Sequence, residues 1–157
     1  MRKTSNLLKV SKIKKLAWLK LNMRKAAYFF VLAFVINLIW ENAHGFLYLN
    51  YKGGEITEFI LLRASLADAA ILLTSVLILN KFLPKKIFIT TFLLTQIIIA
   101  VAIEKFALGQ GRWVYSQAMP IIPFLKTGLM PTVQLAITGL LVKRVTSIPV
   151  NFLKISN

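Results

Sequence analysis

A chain of 157 residues with 57% hydrophobic side chains carries more apolar surface than one soluble domain of that length can hide, and a single domain is expected. Its net charge of +15 raises nucleic acid as a partner, but the basic residues flank apolar runs instead of forming a patch, so no nucleic-acid partner is expected. The absence of cysteine excludes disulfides, thiolate catalysis and Cys-ligated metal centres.

The first element is a basic tail, residues 1–25, with Arg2, Lys3, Lys9, Lys12, Lys14, Lys15, Lys20, Arg24 and Lys25. Its apolar residues form no clean stripe, so contact with anionic lipid headgroups through charge is expected. Four apolar runs follow, at about 26–49, 59–83, 87–108 and 128–148. About 20 apolar residues cross about 30 Å of hydrocarbon, and runs this continuous suit helices, not barrel strands. Span one holds Asn37, Glu41, His44 and Tyr48 at spacings of four, three and four, which is one helix face. Ala43-His44-Gly45 is a passable cleavage site, but apolar sequence resumes at Phe46, and no cleavage is expected. Gly53-Gly54 marks a turn in the first outer loop, where Glu55 and Glu58 read as solvated charges.

Span two carries Ser65, Asp68 and Ser75 on one face, with Arg63 rotated away toward the outer interface. Asp68 lies about nine residues in from Phe59, or about 13 Å along the axis, the deepest charge in the chain. Span three holds Gln96 and Glu104, with Glu104 about one turn from its end. Thr127, Pro131, Gln134 and Thr138 share one face at and after the start of span four. Polar groups in lipid normally face a protein interior, so four inward polar stripes predict a central cleft.

The segment between spans three and four, Gly109 to Gly128, is rich in unusual residue types. Gly109 and Gly111 suit a helix C-terminus, Trp113 and Tyr115 the membrane interface, and Arg112 an anion. Pro120 and Pro123 bracket Ile121-Ile122, which can dip into the outer leaflet if the backbone is satisfied there. The pattern W-x-Y-x3-M-P-x2-P-x4-G-x2-P-x2-Q, from Trp113 through Gln134, resembles the tail of small prokaryotic multi-pass membrane proteins. The resemblance covers about a seventh of the chain; it implies membrane residence and no particular activity.

Fifteen of the twenty Lys and Arg residues fall in the tail, the 81–86 loop and the C-terminal end, which share one side if there are four spans. Excess Lys and Arg marks the cytoplasmic side. All five acidic residues fall on the other side. The expected architecture is an all-α integral membrane four-helix bundle over 26–150, with both termini cytoplasmic and a short tail at 151–157. The expected location is the cytoplasmic (inner) membrane.

Glu41, His44, Asp68 and Glu104 are the candidate catalytic residues, because ionisable groups inside a membrane are costly and mark functional sites. Asn37, Tyr48, Arg112, Trp113, Tyr115 and Gln134 are candidate substrate contacts. Glu41-x-x-His44 has the spacing of carboxylate-bridged metal bundles, but His44 is the only histidine and the motif occurs once, so neither a metal nor a cofactor is expected. No phosphate loop, dinucleotide fingerprint or serine elbow is present. Three functions remain open. One is an intramembrane enzyme using carboxylate acid/base chemistry on a lipid or isoprenoid. The others are a small-solute, ion or proton transporter, and a non-catalytic subunit of a larger membrane complex. Membrane lipids are expected partners throughout, and a homo-oligomer suits the transport reading. A plainly structural role for the buried charges, such as Asp68 paired with Arg112 or Lys105, also remains open.

Overall fold

The computed structural model describes the backbone of residues 2–146 and the side chains of residues 21–146. Expectations placed on the tail's charges through Lys20, on the end of span four, on Lys154 and on the 151–157 tail lie outside the described residues. Among the described residues the chain is mostly helical, with four helices. These are α1, Arg2–His44; α2, Glu58–Phe82; α3, Lys85–Gly109; and α4, Leu129–Thr146. Four short strands join them: β1 Tyr48–Tyr51, β2 Trp113–Tyr115, β3 Ile121–Ile122 and β4 Thr127–Gly128.

Three helical stretches, Leu21–Leu47, Glu58–Phe82 and Lys85–Gly109, are long and apolar enough to cross a membrane. The fourth expected span behaves differently. At 18 residues, α4 reaches about 27 Å. Pro131, Thr132, Gln134, Thr138, Lys143 and Arg144 keep it less apolar than the other three. Its packing supplies the reason: Thr132, Gln134, Leu135, Ala136, Thr138, Gly139 and Val142 are all buried. A helix covered by its neighbours needs fewer apolar residues than one covered by lipid.

The burial pattern is inverted relative to a water-soluble protein. Asn37, Ser65, Ser75, Asn80, Gln96, Glu104, Gln134 and Thr138 are buried, while Val31, Ile39, Leu66, Ile78, Leu94, Ile98 and Ile137 are exposed. An apolar core of Phe29, Ala33, Leu72, Val76, Phe92 and Leu135 lies between the helices. α1 packs along α2 and α4, and α4 along α3; α2 and α3 meet over less of their length. Gly139 permits the closest approach. A Cβ there would stand 2.6 Å from Leu72 Cδ2 and 2.9 Å from Phe92 Cζ.

α1 departs from expectation at both ends. Its backbone is helical from Arg2, without a break between tail and span. It stops at His44, where a 3₁₀ turn over Gly45–Leu47 leads into β1. Tyr48 is therefore not the fourth member of a helix face; it is the first residue of a strand. α2 and α3 are joined by Leu83 and Pro84, and the proline has no N–H to continue α2. α3 ends in a Schellman motif. Arg112 N–H donates to Ala107 O at 2.9 Å and Gly111 N–H to Leu108 O at 3.0 Å, with Gly111 at φ 61°.

The loops after α1 and after α3 are paired, which corrects the purely helical expectation. β1 and β2 run antiparallel, with Tyr48 opposite Tyr115 and Tyr51 opposite Trp113. β3 and β4 form a hairpin with Ile122 opposite Thr127. The Ile121-Ile122 stretch thus finds its backbone partners in β4, the condition under which a dip into the leaflet is expected to be allowed.

Candidate functional site

Side chains from three helices converge on one amide. Gln134 Nε2, on α4, donates to Glu41 Oε1 of α1 at 2.7 Å and to Asp68 Oδ2 of α2 at 2.9 Å. Asn37 Oδ1 lies at 3.3 Å, a weaker third acceptor for a group with two hydrogens. Thr138 Oγ donates to Gln134 O at 2.8 Å and stands 3.2 Å from Asn37 Oδ1. Asn37 is held in turn by its own Nδ2, which donates to Ala33 O at 2.8 Å. Because both carboxylate oxygens contact the same nitrogen, they can be no further apart than those two bond lengths together. The helix phases do this work: Asn37 with Glu41, and Gln134 with Thr138, are each one turn apart on one face.

Glu104 forms a second centre with the paired loops. The Tyr115 hydroxyl donates to Glu104 Oε1, and accepts from Gly128 N–H at 2.8 Å. One phenol therefore ties α3, β2 and β4 together. Burial, then the bond to Glu104, holds the Tyr115 phenol above its ordinary range, against the Gly128 N–H, which lowers it. Tyr48 stands beside Tyr115 and Trp113, with ring centroids 5.6 and 5.9 Å away. Burial first, and then the charges of Glu104 and Glu41, push its phenol up as well.

Glu41, Asp68, Glu104, Gln134, Tyr48 and Trp113 all line one cavity of about 290 Å³. The rest of its wall is largely apolar, including Ile60, Ala64, Ala67, Ile71, Ala100 and Ile103. Arg112 also lines it, but its Nε donates to Gln110 Oε1 at 3.0 Å and its guanidinium lies 5.0 Å from the Phe106 ring centre. Asp68 takes its hydrogen bond from Gln134, not from the two basic residues considered as partners.

Three of the expected residues sit apart from this cavity wall: His44, Asn37 and Tyr115, the last of which reaches it through its bond to Glu104. His44 is buried between Trp40 and Tyr48, edge-on to both at 6.1 and 5.9 Å between ring centres. Its Nδ1 faces the Trp40 carbonyl, which can only accept, so Nδ1 carries the hydrogen and Nε2 is left without a partner among the described residues. Asn37 reaches the cavity only through Gln134. Glu55 and Glu58 are exposed, in line with solvated charges. Among the described residues, no group of three or more His, Cys, Asp or Glu side chains is placed to hold a metal ion.

Two contributors were not singled out by sequence. Thr138 was visible on the polar face of α4, and only its bond to Asn37 makes it part of the network. Gly128 acts through its backbone N–H, for which no side-chain signal exists. No family model, curated protein or solved structure matches this chain.

Proposed function

We propose that the chain is a four-span protein of the cytoplasmic membrane, with both termini inside, acting as an intramembrane enzyme on a lipid or isoprenoid. The transmembrane bundle covers residues 26–150, and the site lies in its outer half. One observation carries this reading: Glu41 and Asp68 share a single amide donor on the wall of a mostly apolar cavity. Two carboxyl groups in one dry site give a proton donor and a proton acceptor to the same substrate. Gln134 sets their separation, Asn37 and Thr138 orient Gln134, and Glu104 with Tyr48 forms the opposite polar wall. The apolar remainder of the wall suits a substrate that is itself mostly hydrocarbon.

The test uses nanodisc-embedded protein incubated with a total membrane lipid extract, followed by mass spectrometry. The wild-type protein is expected to convert one lipid species, and Asp68→Asn to leave the pool unchanged while still folding. Conversion by Asp68→Asn at the wild-type rate would remove Asp68 from the mechanism.

Transport is the second reading, and one observation favours it. Gln96 and Asn80 are fully buried, and both amide atoms of each lack partners among the described residues. Unpaired buried amides call for water, and water between helices is a path for protons or small solutes. Proton flux into proteoliposomes that disappears in Gln96→Leu supports transport; flux unchanged by that substitution counts against it.

A further inference from the structure

The cavity does not end at its polar wall. A second hollow, of about 420 Å³, lies further along the same two helices, lined by Ala70, Thr74, Ile78 and Leu79 of α2 and by Thr95 and Ile99 of α3. Ile71 lines both hollows. On α3, Ile99 of the second hollow is followed directly by Ala100 of the first. The two hollows thus lie end to end along α2 and α3, with Ile71 between them, and form a seam between neighbours that meet over the shorter length. Small side chains keep it open on the α2 side: Ala64, Ala67 and Ala70 fall at three-residue intervals. Ala70, Thr74 and Ile78 are exposed, so the seam faces outward, where the membrane reading places lipid.

We propose that the seam between α2 and α3 is the substrate's entry and its chain-binding site. A single hydrocarbon chain lies along Ala70, Thr74, Ile78 and Ile99, and its reactive end sits at Glu41, Asp68 and Gln134. This rests on the reading of the cavity as a lipid-processing site, and names the substrate class: a lipid with one long chain, arriving sideways from the bilayer. Three features select that occupant. The charged and amide side chains all line one end, and the other end carries only the hydroxyls of Thr74, Ser75 and Thr95. The other end is almost wholly apolar. The opening lies between two membrane-crossing helices and not beneath the paired outer loops, where β1–β2 and Trp113 close over the site. A substrate from water would have to pass that aromatic cover; a lipid already lies beside the seam.

A long-chain fatty alcohol with a mid-chain diazirine, photolysed in nanodiscs of phosphatidylcholine, tests the seat directly. Adducts mapped by mass spectrometry are expected to concentrate between Ala70 and Leu79 and between Thr95 and Ile99. Thr74→Trp, an exposed position outside the polar cavity, is expected to lower seam labelling about tenfold by filling the chain's space. Ile39→Trp, 65% exposed on α1, is expected to leave labelling unchanged. Labelling spread evenly over the lipid-facing residues of all four helices, or untouched by Thr74→Trp, overturns the proposal. Asp68→Asn separates the two layers. Seam labelling that persists beside wild-type lipid conversion in Asp68→Asn keeps the chain site and rejects the carboxylate chemistry. Lost conversion without seam labelling keeps the chemistry and rejects the lateral site.

Discussion

Gln134 is the residue on which the site turns. Its two amide hydrogens meet two carboxylates from different helices, and no other described side chain donates to either. Gln134→Leu removes that donor and leaves both acceptors unpaired, at about 1–3 kcal/mol for each buried group that loses its partner. A lowered melting temperature in detergent, beyond that of Thr138→Val, is the expected outcome. Tyr115→Phe makes a different break. It removes the hydroxyl that serves both Glu104 and Gly128 N–H. Faster hydrogen exchange at Gly128 is expected, with the helices' exchange unchanged. The two raised phenols also give a pH dependence. Their neutral forms belong to the folded state, so their contribution is complete below the free tyrosine value of about 10 and declines as pH rises above it. Phenolate absorbance is expected to show two late-titrating tyrosines, both absent from the Tyr48→Phe, Tyr115→Phe double variant.

At the level of elements, the shortest of the four described helices is the one that ties the others together. α4 presents Gln134, Thr138 and Gly139 to its neighbours within two turns. Gly139 lets α4 approach α2 and α3, as small residues do where helices cross in lipid. Gly139→Ala puts a methyl group against Leu72 and Phe92, both fully enclosed and unable to give way freely. A loss of about 1–3 kcal/mol is expected from overpacking. Chemical denaturation in mixed micelles reads it, and the partner substitution Leu72→Ala is expected to recover part of it. The strands act at the other end. β1 and β2 join the loops after α1 and α3, so that end of the site is held by backbone hydrogen bonds and an aromatic ladder of Tyr48, Tyr51, Trp113 and Tyr115.

Across the described residues, buried amides, hydroxyls and Glu104 lie beside an apolar core, and many large aliphatic side chains face outward. That sorting suits a hydrocarbon solvent, and α2 and α3 meet over less of their length than α1 with α2, α3 with α4 or α1 with α4. The charge asymmetry sets the orientation expected for it. Truncated reporter fusions at Gly53 are expected to read as external and at Pro84 as cytoplasmic. Reversed signals would invert the assignment of sides and move the carboxylates to the inner leaflet.

Hydrophobic run length and charge placement were enough, in sequence alone, to mark the apolar helices, the polar face of each and the three carboxylates that line the cavity. These are one-dimensional properties, fixed by the 3.6-residue period and by the cost of charge in lipid. The end of α1 was not legible, because apolar sequence continues past His44 and only the pairing of Tyr48 with Tyr115 shows that it has become a strand. Nor was the choice of Gln134 over Arg112 as the partner of Asp68. Periodicity says which face a side chain occupies, but the rotation and closeness of neighbouring helices decide what it meets. Here Gly139 and the paired outer loops set both, so the shared amide and the seam beside it exist only in the folded chain.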